Sequence, residues 1–73
     1  MNKGTTARQD VAKTLRFLRE QEGWTTQDVA DKIGISQANY ERIEDAKFAV
    51  NIDTLATIAR LYGRRVAIID REE

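Results

Sequence analysis

Two short amphipathic stretches flank a single glycine, and this restricts the fold more than any other feature of the chain. The first runs from Thr26 to Ile33 and the second starts at Gln37, with only Gly34, Ile35 and Ser36 between them. Thr25 stands three residues before Asp28, a capping-box pattern with Asp in place of Glu. Val29, Ala30 and Ile33 fall on one face of the helix this box opens. Gly34 permits a left-handed residue at the turn. Ser36 is placed to cap a second helix, read as Gln37 to about Asp45. In that helix Tyr40, Ile43 and Glu44 point one way, and Gln37, Ala38, Glu41 and Arg42 point the other. Ala30 is small where two helices must cross closely, and Ile35 and Ile43 pin the second helix. Two short helices about a glycine turn carry the N-terminal half of the second away from the body. From there it can enter a major groove and read base edges.

The flanking sequence builds a support for this pair. Thr5 or Thr6 can cap a first helix running to about Gln21. Val11, Leu15 and Leu18 make its inward stripe, and Phe17 lies off the stripe over an edge. Gly23 closes it as a left-handed cap, and Trp24 follows. Asn51 caps a last helix, about Ile52 to Tyr62, with Leu55, Ile58, Ala59 and Leu61 or Tyr62 inward, and Gly63 ends it. The loop at 46–50 is apolar through Phe48 and Val50, which either fold back on the core or offer a contact surface. Residues 65–70 hold the β-branched run Val66, Ala67, Ile68 and Ile69, read as a strand. A strand in an otherwise helical chain has no partner, and unpaired backbone groups are costly. Pairing with the same strand of a second copy across a twofold axis is the simplest remedy. The whole, 1–73, reads as one domain, with a helical core at 5–63 and a strand and tail at 64–73.

Composition narrows the function. With 73 residues the chain supports one domain with a thin stability margin. It has no Cys and no His, so thiolate metal sites and the commonest general base and metal ligand are excluded. Ser36, the only serine, has no base to activate it. No enzyme activity, metal or cofactor is expected. Twelve basic and twelve acidic residues give zero net charge, which rules out a basic tail but leaves room for a locally basic face. No apolar run approaches the roughly 20 residues of a membrane span, and the polar N-terminus is unlike a signal peptide. A cytoplasmic module without membrane contact is the expectation.

Several stretches together resemble the phage repressor/Cro-like helix-turn-helix family, also called the xenobiotic-response-element family. They are Leu15-Arg16-Phe17-Leu18-Arg19, Gly23-Trp24-Thr25, Val29-Ala30-Asp31-Lys32-Ile33-Gly34-Ile35-Ser36-Gln37, Arg42-Ile43-Glu44, and Asn51-Ile52-Asp53-Thr54-Leu55 with Ile58-Ala59 and Tyr62-Gly63. The resemblance covers roughly residues 11–63. It implies an all-α, lambda-repressor-like domain of four to five helices, with a short C-terminal strand used in dimerisation through Val66, Ala67, Ile68 and Ile69. It also implies sequence-specific binding of double-stranded DNA by a homodimer, usually for repression. On matching positions it assigns base contacts to Gln37, Ala38 and Arg42 and phosphate contacts to Thr26 and Asn39. Glu41 shares the base-contact face, and the basic residues Arg8, Lys13, Arg19 and Lys47 are expected to add phosphate contacts around it. Arg19 and Glu44 match a structural ion pair between the first and third helices.

The sequence departs from the family pattern at informative places. Thr26 stands where Gln is common, which removes the usual glutamine support for Gln37. Glu41 and Asp45 bring negative charge towards the reading face, where carboxylates repel phosphate. Ala46 replaces the usual Gly after the third helix, and Val50 replaces a frequent Pro. Two rival readings follow. The terminal strand resembles that of antitoxin members, which bind a cognate toxin as well as DNA. Zero net charge with Glu41 and Asp45 suits a protein-interaction module that has lost DNA binding.

Overall fold

Side-chain caps start all four helices. The computed structural model describes residues 6–68, and these form α1 (Ala7–Glu22), α2 (Thr26–Ile33), α3 (Gln37–Glu44) and α4 (Ile52–Leu61). Thr6 takes the first cap: its hydroxyl accepts from the Gln9 N–H at 3.2 Å, and the Gln9 side chain accepts from the Thr6 N–H at 2.8 Å. Thr25 and Asp28 make the expected reciprocal box at 2.9 and 3.0 Å. Ser36 and Asn51 accept from the N–H groups of Asn39 and Thr54. Each cap satisfies a backbone donor that the helix itself leaves unpaired.

All four helices end in the same way. After α1 the N–H of Trp24 returns to the Arg19 carbonyl; after α2, Ile35 returns to Ala30; after α3, Lys47 returns to Arg42; after α4, Arg64 returns to Ala59. Each wrap requires a left-handed residue just before the returning one. Glycine fills that place at Gly23, Gly34 and Gly63, whereas Ala46 holds it at φ 57° with a side chain attached. A left-handed L-residue costs roughly 1–2 kcal/mol, so the α3 terminus is strained where the other three are relaxed.

The core lies where α1 and α2 pack on the inner face of α3 and α4 closes on α2. Leu15, Val29, Ala30, Tyr40, Ile43 and Ile58 are buried together, with Val11, Trp24, Ile33, Ile35, Val50, Leu55, Leu61 and Tyr62 packed against them. Ala30 has no exposed surface, as a close helix crossing demands. Trp24 fills the margin, with its ring centroid 5.7 Å from that of Tyr62 and the Lys32 ammonium 4.7 Å from its face. Val50 folds back on the core, while Phe48 stays partly exposed. Phe17 does not cover an edge: it stands 58% exposed on the outside of α1.

The tail differs from expectation. No strand is present among the described residues; 64–68 follow Gly63 without regular structure. The reason is physical: a helical chain offers no sheet edge to pair with, so the β-branched run stays solvated. Val66 is partly exposed and Ile68 fully so. Ile69 and Asp70, the end of the expected strand, lie outside the described residues. No helix among the described residues is long and apolar enough to cross a membrane.

Candidate nucleic-acid interface

The turn between α2 and α3 sets the first residues of the two helices side by side. Gly34 adopts φ 80°, and the N–H groups of Gly34 and Ile35 both donate to the Ala30 carbonyl, at 2.9 and 3.0 Å. With Tyr40 and Ile43 drawn into the core, the opposite face of α3 is left to solvent. Gln37, Ala38, Asn39, Glu41 and Arg42 are all exposed, so the four expected base-contact residues share one surface.

Three side chains on that surface are bound to one another. The Gln37 Nε2 donates to the Thr26 hydroxyl at 3.0 Å and to the Glu41 carboxylate at 3.1 Å. The Thr26 hydroxyl donates to the same Glu41 oxygen at 2.8 Å. Gln37 is therefore supported after all, by Thr26 and Glu41 in place of a second glutamine. The four-residue spacing of Gln37 and Glu41 is a helix-pair signal readable in sequence; the third corner, on α2, is not. Gln27, one residue on, turns away and donates to Asp31 at 2.7 Å.

The expected phosphate contacts separate into two groups. Arg8, Lys13, Asn39 and Lys47 are exposed, and Thr26 is half-buried at the start of α2. Arg8 borders a shallow hollow with Ala46 and Ala49, on the same loop that carries Lys47. Arg19 is placed elsewhere. Its Nε and Nη2 donate to the two Glu44 oxygens at 2.7 and 2.9 Å, and its Nη1 donates to the Trp24 carbonyl at 2.9 Å. Those bonds place Arg19 in the structural ion pair and take three of its five N–H donors.

Glu44 is the polar centre of the fold. It is 5% exposed, and the buried Tyr40 hydroxyl donates to it as well. Burial pushes its carboxyl pKa up, but the Arg19 and Tyr40 hydrogen bonds outweigh that and hold it below the ordinary value. In return the bond to Glu44 raises the Arg19 guanidinium, and burial together with Glu44 raises the Tyr40 phenol. Arg16, which sequence reasoning left without a role, closes the outer side. Its Nη2 donates to the Glu44 carbonyl at 2.9 Å, and it lies 3.7 Å from the Asp45 carboxylate. One of the two carboxylates expected to repel DNA is thus partly offset from within the chain.

The sequence matches a helix-turn-helix domain family over residues 10–70. The chain is a member of that helix-turn-helix domain family. The domain is also 30% identical over 60 residues to the competence pilus inhibition repressor of Acinetobacter baylyi. That match takes in 82% of this chain and 54% of the relative, so the chain spans about half the length of the curated relative it matches. Among solved structures, a chain of the HipA–HipB–O2–O3 complex has a TM-score of 0.77 at 24% identity, over 97% of this helix-turn-helix domain and 100% of that chain. A HipB–O2 20-mer complex has the same TM-score and identity, over 99% and 100%. These likenesses establish the four-helix fold. The family is one of DNA-binding, non-enzymatic domains, in keeping with the repressor/Cro-like resemblance.

Proposed function

We propose that this domain is a sequence-specific transcriptional regulator, a dimeric repressor that reads a pseudo-palindromic operator with α3. The observation that carries this reading is the exposed start of α3, where Gln37 is held in a fixed orientation by side chains from two helices. Pre-ordered side chains lose less freedom on binding, and a solvated face with no recognition role has no need of such order. Gln37, Ala38, Glu41 and Arg42 face the bases. Arg8, Lys13, Asn39 and Lys47 hold phosphates, joined by Thr26 at the N-terminus of α2, where backbone N–H groups favour anions. Val66, Ala67, Ile68 and Ile69 pair with the same residues of a second copy, which gives the exposed tail the edge it lacks in one chain. Half-sites then lie about 34 Å apart, one DNA turn. With zero net charge the salt dependence is modest.

The test is a fluorescence titration into DNA from immediately upstream of the protein's own gene, at two salt concentrations, with Gln37→Ala and Arg42→Ala alongside. Saturable binding that exceeds binding to random DNA, weakened about 1–3 kcal/mol by either substitution, is the expected result. Equal, weak, salt-labile binding to both DNAs rejects the reading in favour of a protein-interaction module.

A second reading adds toxin neutralisation. It is favoured by the likeness to HipB in a complex that also holds HipA. Under it, a protein encoded beside this one co-purifies with it and is inhibited by it. A neighbouring gene product that neither binds nor responds removes this reading and leaves the repressor intact.

A further inference from the structure

We infer that Thr26 and Glu41 convert Gln37 into an acceptor-only reader, so that α3 selects a base carrying an exocyclic amino group, adenine or cytosine, at the position Gln37 faces. This rests on α3 being the recognition helix.

A primary amide has two N–H hydrogens to donate and one carbonyl oxygen to accept with. The Gln37 Nε2 lies 3.0 Å from Thr26 Oγ1 and 3.1 Å from Glu41 Oε2, two acceptors for two hydrogens. The opposite amide orientation is excluded by chemistry. An ionised carboxylate only accepts, so the carbonyl oxygen of Gln37 has nothing to gain beside Glu41. The single Thr26 hydroxyl hydrogen is itself given to Glu41 at 2.8 Å, so the Thr26 oxygen faces Gln37 as an acceptor too. Both amide hydrogens are spent inside the protein, and Oε1 is the group left for a ligand.

That removes half of the contact glutamine usually makes. A bidentate bond to adenine needs an amide hydrogen for N7 as well as an oxygen for the N6 amino group. Here only the second bond is available, and cytosine offers an equivalent donor at N4. Guanine O6 and thymine O4 are acceptors and meet a carbonyl oxygen unfavourably. The neighbouring Glu41 carboxylate is also acceptor-only and biases the surface the same way. The predicted preference divides amino bases from keto bases, where a free glutamine would single out adenine. Glu41 and Thr26 are positioning residues in this scheme: they act through the Gln37 amide.

Selection from a randomised double-stranded DNA library tests this, using the full chain as wild type, Gln37→Ala, Glu41→Ala and Thr26→Val. All three positions lie at the surface of the fold, and thermal melts confirm that each variant is folded. The position whose preference vanishes in Gln37→Ala should, in the wild type, accept adenine and cytosine within about threefold and disfavour guanine and thymine by roughly tenfold. In Glu41→Ala an amide hydrogen is released, and adenine should then exceed cytosine by roughly tenfold. General tightening from the lost negative charge would raise all sites alike and leave that ratio unmoved. Wild-type preference for adenine alone, acceptance of guanine or thymine, or an unchanged ratio in Glu41→Ala overturns the inference while leaving α3 as the reader. No enriched site, or the same site enriched by Gln37→Ala, overturns the recognition helix itself and the inference with it.

Discussion

Arg19 of α1 grips Glu44 of α3 with two parallel hydrogen bonds, 2.7 Å from Nε and 2.9 Å from Nη2, and this pair ties α3 to the body. The Arg19 side chain is 14% exposed and that of Glu44 only 4%. Breaking one partner strands the other in poor solvent, at about 3–5 kcal/mol. Arg19→Ala should therefore lower stability by about that much in urea unfolding. Replacing both residues with apolar side chains of similar size should be milder than either single change. A double variant as unstable as the sum of the singles would contradict this.

Acid should weaken the same contact. Glu44 sits below its ordinary pKa of 4.5 in the folded chain. The stability it contributes is complete above that ordinary value and is lost as pH falls through the lower folded one. The thermal midpoint should drop on acidification below about 4.5, and less steeply in Glu44→Gln. A remainder should persist there, because Asp28 is also held low by the Thr25 backbone and hydroxyl.

Ala46→Gly should stabilise the protein. The left-handed backbone at 46 is strained for alanine and free for glycine. Glycine also loses more entropy on folding, which offsets part of the gain. A net gain of about 0.5–1 kcal/mol, or several degrees in thermal midpoint, is expected. A loss on this substitution would show that the wrap after α3 does not govern its stability.

Two tyrosines should respond in opposite ways to removal of their hydroxyls. Tyr40 donates to a buried carboxylate, so Tyr40→Phe should cost roughly 1.5–3 kcal/mol. Among the described residues the buried Tyr62 hydroxyl has no hydrogen-bond partner. Tyr62→Phe removes an unsatisfied group and should leave stability unchanged or raised. Paired thermal melts of the two variants decide this.

Local chemistry made much of the fold legible. The caps at Thr25, Ser36 and Asn51 are short-range patterns, and the inward faces of α2 and α3 follow from spacing alone. The Arg19–Glu44 pair came from family resemblance, and the structure places it as the resemblance implied. What stayed hidden depends on distance along the chain. Thr26 meets Gln37 across 11 residues and Glu41 across 15, so a threonine read as a lost support turned out to be one. Arg16 had no signal because its partners lie on another helix. Residues 64–68 form no strand within one chain, because β-branched residues indicate a preference for pairing without supplying the edge to pair with.

Under the proposed role of α3, the triangle of Thr26, Gln37 and Glu41 has a consequence for anyone wishing to redirect the protein to new DNA. Changing Gln37 alone leaves Thr26 and Glu41 aimed at an absent amide, so their own vacated bonds would confound the new preference. The smallest exchangeable cassette is three residues drawn from two helices. Because Tyr40, Ile43 and Glu44 occupy the other side of α3, that cassette can be swapped as a block without touching the anchor that keeps the domain folded.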